Sequence, residues 1–248
     1  MRYLLCISYN GNSFYGSQKQ DNLFTVLGCL NDKINILFQE NIKLIASSRT
    51  DKGVHAINQY VHFDSNKVYN EDKLKNDINK SINKNIYVRS VSTVNNAFHC
   101  RYNVECKEYV YIINTGKYNP FDKDICLEYN KTISKKLVKK FCKLMSGEHS
   151  FKSFTTGKYS NYTRDIKVSY KYKNDYLYIY VLSDGFYRYM VRNIIGLLLS
   201  INENKIDIED IDNIFKSECR DKLFKTANPC GLYLKNIYFK EETWHLLK

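Results

Sequence analysis

Apolar and polar positions alternate through "RYLLCISY" (2–9), a run rich in β-forming residues that ends at the turn signal Asn10-Gly11, which predicts a first strand. Leu27, Leu30, Ile34 and Leu37 then recur at helical spacing, predicting a helix over roughly residues 24–38. "IKLIAS" and "QYVHFD" carry strand character on either side of a polar stretch, "SSRTDKGVHA". A second helix fits Glu71 to Ser81, and "IYVRSVSTV" returns to strand. The first hundred residues therefore run strand, helix, strand, strand, helix, strand, the split βαβ order of ferredoxin-like and RNA-recognition sandwiches.

A similar rhythm follows. "KEYVYII" predicts a strand, and "TISKKLVKKFCKLMSG" a helix with Ile133, Leu137, Phe141 and Leu144 on one face, lysines around them, and Gly147 as its stop. "DIKVSYKY" and "YLYIYVL" are joined by Lys173-Asn174-Asp175, a hairpin signal. An apolar helix is expected from about Tyr187 to Ile201, and "GLYLKNIYF" closes as a strand. The expected fold class is α/β (α+β): two ferredoxin-like or RRM-like sandwiches, residues 1–104 and 105–248. No linker rich in Pro, Gly or Ser separates them, so they are expected to share an extended, mainly antiparallel sheet with a central cleft.

Composition adds a partner. A chain of 248 residues with 44% hydrophobic and 26% charged residues can bury a core and is too apolar for a disordered protein. The net charge of +12 points to a polyanion, nucleic acid before membrane, and 22 tyrosines supply stacking faces for bases. A plain compositional bias toward Lys, Asn, Ile and Tyr is the competing explanation. The 8 cysteines form no C-x-x-C pair, which argues against zinc. No signal-like segment opens the chain, and the longest apolar stretch, "IIGLLLSI", is too short to span a membrane, so the expected setting is the cytosol with reduced thiols.

The polar stretch between the two strands holds the densest candidate chemistry. Arg49 and Asp51 stand two positions apart, so in extended backbone they share a face, and an adjacent guanidinium favours the ionised carboxylate. Gly53 permits a sharp turn or the close approach of a ligand. Asp-Lys-Gly is also ordinary turn chemistry, and spacing alone favours that reading.

The wording of the stretch decides otherwise. "SSRTDKGVHAINQYVHF" resembles the G-R-T-D-x-G-V-H-A-x-x-Q-V-x-x-F signature of the TruA family of tRNA pseudouridine synthases. "YNGNSFYGSQKQ" is similar to the family's opening block and "FHCRYNVECKEYVYII" to its F-H-A-R-F-S-A-x-x-R-x-Y-x-Y-x-I block, while "GEHSFKSF", "YMVRNIIG" and "CGLYL" match later ones. The blocks run in order over nearly the whole chain.

The resemblance implies isomerisation of uridine to pseudouridine in the anticodon stem-loop of tRNA (tRNA positions 38–40), by a homodimer that uses neither cofactor nor metal. It implies Asp51 as the nucleophile, at C6 of the base or C1′ of the ribose. Tyr109 would stack on the target uracil and help remove the C5 proton. Arg49 would pair with Asp51 and hold the flipped nucleotide, and Arg192 would meet Asp51 or a phosphate. Leu232 would pack beneath Tyr109 or the base, with a plain core leucine as the other reading. His55 has no such part and is expected to be a hydrogen-bonded structural histidine. Lys52 either touches a phosphate or faces water. Ser48 stands where the family has Gly, Ser17 where Trp is frequent, and "INKSINKNI" lacks the family's Pro, departures that bear on turn geometry and RNA contacts. The rival readings are a non-catalytic RNA-binding or tRNA-folding protein, and a related synthase acting on other tRNA positions.

Overall fold

A computed structural model describes residues 1–220 and 224–247. The chain divides into two units, Met1–Lys107 together with Tyr233–Lys248, and Glu108–Leu232. The first carries β1 (Arg2–Tyr9), α1 (Val26–Phe38), β2 (Ile45–Ala46), β3 (His55–Asp64), α2 (Glu71–Ser81) and β4 (Ile86–Val94). The strand β5 (Val104–Asn114) leads into the second, which holds β6 (Leu127–Glu128), α3 (Lys135–Met145), β7 (Gly147–Ser150), β8 (Thr163–Lys173), β9 (Tyr176–Ser183), α4 (Met190–Asn202) and α5 (Ile211–Ser217). The last strand, β10 (Leu232–Phe239), returns the chain to the first unit. The class is mixed α/β with mainly antiparallel strands, as expected. A single division at 104/105 does not describe these units, because β10 pairs in parallel with β3 (Tyr233↔His55, Leu234↔Ala56) and brings the terminal segment with it.

In the first unit β1 lies between β4 and β3, antiparallel to both, and β2 pairs antiparallel with the later part of β3 at Ile45↔His62 and Ala46↔Val61. This is the split βαβ order. The expected "IKLIAS" strand shrinks to two residues for a local reason. Ser47 still donates its N–H to the Tyr60 carbonyl at 2.9 Å. At Ser48 the Gln59 side chain takes over, with Oε1 accepting the Ser48 N–H at 3.2 Å and Nε2 donating to the Ser48 carbonyl at 2.7 Å. A side chain thus replaces the ladder, the backbone leaves the sheet, and the first residues of β3 are left open for β10.

Thr25 caps α1 by accepting the Gly28 N–H at 3.2 Å. The helix buries Leu27, Leu30 and Ile34 as its spacing predicts, whereas Leu37 is half-buried and Phe38 takes the core position. Phe38 meets Tyr3 and Phe63 with ring centroids 5.6 and 5.3 Å away. Asn70 caps α2, whose Leu74 and Ile78 are buried.

In the second unit the strands run β5-β9-β8-β7, so the first strand lies beside the later member of the hairpin, as in β1-β3-β2. The β8–β9 hairpin closes over Asn174-Asp175, with Asn174 at φ +52° and Lys173 facing Tyr176. α3 is a correction: its buried face is Val138, Phe141, Cys142 and Met145, with Leu137 and Leu144 only half-buried. The helix begins after the Ser134 cap, so Ile133 is buried ahead of it rather than on its face. α4 starts at Met190 rather than Tyr187 because Tyr189 adopts a left-handed conformation, φ +64°. It is buried along most of its length, and a Cβ at Gly196 would stand 1.9 Å from the Lys225 carbonyl oxygen, so only glycine allows that segment to cross the helix. No helix among the described residues is long and apolar enough to cross a membrane.

Candidate active site

Asp51 sits half-buried in the loop that carries the chain from β2 into β3. The turn beyond it is closed by the Val54 N–H, which donates to the Asp51 carbonyl at 3.1 Å, with Gly53 at φ +79°. Thr50, immediately before it, is bound by the loop that follows β1. Its N–H donates to Ser17 Oγ at 2.9 Å, its carbonyl accepts the Ser17 N–H at 3.1 Å, and its Oγ1 shares a 2.8 Å hydrogen bond with the Tyr9 hydroxyl. Burial pushes the Tyr9 hydroxyl up to about 12, against the opposing influence of Thr50, Gln59 and Ser17, so it stays protonated at neutral pH.

Two glycines let the loops meet. Gly16, at φ +97°, brings its backbone to where a Cβ would lie 3.1 Å from the Thr50 carbonyl oxygen. At Gly11 a Cβ would stand 2.0 Å from the Val54 carbonyl oxygen, and the Gly11 N–H donates to His55 Nδ1 at 3.1 Å. His55 is buried and its ring stacks on Tyr233 at 4.5 Å and 19°. With Nδ1 accepting a backbone N–H, that nitrogen carries no proton, and His55 is hydrogen-bonded as expected. Lys52 is exposed and holds its ammonium 3.9 Å over the half-exposed ring of Tyr15. Arg49 is exposed in the same loop. Two of the three departures from the family pattern lie at these bonds: the Ser17 hydroxyl holds Thr50, and the Ser48 backbone is bracketed by Gln59.

Tyr109, Arg192 and Leu232 belong to the second unit. Tyr109 is 6% exposed on β5, edge-on to Phe186 at 5.0 Å between ring centroids. Its neighbour Tyr111 donates its hydroxyl to the Asn228 carbonyl at 2.7 Å, and burial holds that phenol well above its ordinary range. Arg192, half-buried in the first turn of α4, donates from Nε to the Ala227 carbonyl at 2.7 Å and lies over the Tyr189 ring at 5.3 Å. Its carbonyl also accepts the Ala227 N–H at 3.1 Å, so residue 227 is gripped twice. Asn193, fully buried, donates to the Phe154 carbonyl at 2.6 Å and accepts from Thr226 Oγ1 at 2.7 Å. Leu232 is buried at the start of β10.

The loop anchors Tyr9, Ser17 and Gln59 and the Arg192 partner Ala227 had no signal in residue spacing. Gly11 was visible only as part of the Asn10-Gly11 turn signal. Among the described residues, Asp122, Cys126 and Glu128 bring potential metal-ligand atoms within 4.8 Å of one another. Both carboxylates are already hydrogen-bonded there: Glu128 accepts from Asn114 and Asn130, and Asp122 from Asn119 and the Tyr176 hydroxyl. Burial, then the nearby acids, push the Cys126 thiol up to about 12, so the cluster presents a thiol rather than a thiolate.

Comparison with known proteins gives a consistent set of relatives. A family profile described as tRNA pseudouridine synthase matches residues 5–103 and 141–240. A "tRNA pseudouridine synthase A" of Malacoplasma penetrans is 38% identical over 242 residues, covering 96% of this chain and 100% of the relative. Proteins of the same name from Mycoplasma genitalium and Dictyoglomus thermophilum are 34% and 36% identical, covering 97% and 93% of this chain and 99% and 96% of their own.

Proposed function

The chain belongs to the tRNA pseudouridine synthase family, and on that premise we propose that it isomerises uridine in the anticodon stem-loop of tRNA, with Asp51 as the nucleophile. The reaction breaks the N1–C1′ bond of the nucleotide, turns the uracil, joins C5 to C1′, and moves a proton from C5 to solvent while N1 gains one. A carboxylate can hold one fragment through the rotation, adding either at C6 of the base or at C1′ of the ribose, and it leaves as a carboxylate when the new bond is complete. The observation that carries the reading is a half-buried carboxylate on a loop whose preceding and following peptides are both hydrogen-bonded. Such a loop keeps the nucleophile in one place while the base moves past it.

Tyr109 is assigned to stack on the uracil and assist at the C5 proton, Arg49 to accompany the Asp51 carboxylate, Arg192 to meet that carboxylate or a phosphate, and Leu232 to support the base from below. The target must leave its stack, at a cost of about a few kcal/mol that is smallest in flexible loops. The net charge of +12 offsets this through phosphate contacts. The working form is assigned as a homodimer with tRNA touching both subunits.

The experiment is tritium release from tRNA labelled at uridine C5, wild type against Asp51→Ala, followed by mapping of the modified positions. Release by the wild type alone supports the reading. Binding without release by either protein would leave an RNA-binding protein, and product outside the anticodon stem-loop would overturn the assigned target.

A further inference from the structure

Asp51 has two peptide planes, and separate groups hold each. The plane after it is fixed where its carbonyl accepts the Val54 N–H. The plane before it contains the Thr50 carbonyl, which accepts the Ser17 N–H at 3.1 Å. One plane further back lies the Thr50 N–H, donated to Ser17 Oγ at 2.9 Å. A single residue from another loop therefore fixes two consecutive planes leading into the nucleophile, and Tyr9 secures the Thr50 side chain at 2.8 Å. Ser17 is 2% exposed and Thr50 8%, so water does not compete for these bonds. Both peptide planes that flank Asp51 are therefore held.

We infer that Ser17 is a positioning residue for catalysis: its hydroxyl sets the backbone of Thr50 and thereby the line along which the Asp51 carboxylate meets the nucleotide. This rests on the assignment of Asp51 as nucleophile. Ser17 touches no reacting atom. Its loss leaves the Thr50 N–H buried without an acceptor and lets the Asp51 backbone drift, and a displacement near 1 Å costs about 100-fold in rate.

The test compares wild type, Ser17→Ala, Ser17→Thr and Asp51→Ala for tritium release under saturating and limiting tRNA, with thermal melts alongside. Ser17→Ala is expected to lower kcat by about 10- to 100-fold with KM within about threefold of wild type, and Ser17→Thr, which keeps the hydroxyl, to recover most of that loss. A folded Ser17→Ala with kcat within twofold of wild type overturns the inference, as does a folded Ser17→Thr as slow as Ser17→Ala. If Ser17→Ala does not fold, Ser17→Cys carries the same test, its weaker acceptor giving a kcat drop of about 3- to 10-fold, and an unchanged kcat overturning the inference. Asp51→Ala separates the two failures: if it remains active the nucleophile assignment falls, whereas if it is inactive while Ser17→Ala turns over normally only the role of Ser17 falls.

Discussion

Gly11→Ala tests whether contact between two loops holds the Asp51 turn in place. The added Cβ would stand 2.0 Å from the Val54 carbonyl oxygen, 2.4 Å from its carbon and 2.9 Å from its nitrogen. All three are backbone atoms, so no side chain can swing aside. Ordinary contact begins at 3.4 Å, so one loop must move by over 1 Å, in the range where overpacking costs roughly 1–3 kcal/mol. That shift also breaks the buried bond from the Gly11 N–H to His55 Nδ1, at a further cost of about 1–3 kcal/mol. The sum, about 2–6 kcal/mol, corresponds to a fall in melting temperature of roughly 5–20 °C for a chain of this size. Val54 closes the turn on the Asp51 carbonyl, so turnover is expected to fall about 10- to 100-fold even well below the new melting point. Thermal melts and tritium release at 20 °C measure the two effects. Gly185→Ala is the control, since its Cβ would meet only the far end of the Arg164 side chain, at an ordinary 3.6 Å. A Gly11→Ala protein that melts with the control and turns over like wild type would refute the reasoning.

Other perturbations act at separate places. His62 is buried, with its titration lowered to about 4 from 6.5, first by burial and then by Arg2 and His99, and its Nε2 has no hydrogen-bond partner among the described residues. The unfolded chain takes up this proton below 6.5 and the folded one only near 4. The stability that neutral His62 contributes is therefore present at pH 7 and lost as pH falls through that window, up to roughly 3 kcal/mol. Denaturant titrations at several pH values should show a shallower fall for His62→Gln. Asn193→Ala removes a fully buried bridge between Phe154 and Thr226 and should cost about 2–4 kcal/mol by the same titration at pH 7. With a net charge of +12, tRNA affinity measured by filter binding should fall by roughly 10³–10⁵ between 50 and 200 mM salt if about six to ten phosphates are contacted.

What could be read from the chain divides by the range of the interactions involved. α2 begins and ends at Glu71 and Ser81, and β4 at Ile86 and Val94, as their patterns predict, because each is decided by a cap and a period within a dozen residues. β2 did not follow its pattern, because the Gln59 side chain, 11 residues on, supplies the bonds a longer strand would have made. The face of α3 was misplaced because alternative apolar stripes run along the same helix, and only the strands beneath choose between them.

The same division runs through the site. Asp51 was legible as part of a motif, and the resemblance alone set His55 aside, whose partners are a backbone N–H and Tyr233; Lys52, read as touching a phosphate or facing water, holds its ammonium over the Tyr15 ring. The anchors of the Asp51 loop were not legible, since Ser17 and Tyr9 reach Thr50 from 33 and 41 residues away. Asn10-Gly11 reads as a turn whatever lies beyond it, and the demand for glycine there comes from the Val54 carbonyl on another loop. Local chemistry therefore explains why a carboxylate stands at position 51. The direction in which it points is set by groups that local chemistry has no means of linking to it, and variants at Gly11 and Ser17 are accordingly expected to change rate without changing any residue that touches the substrate.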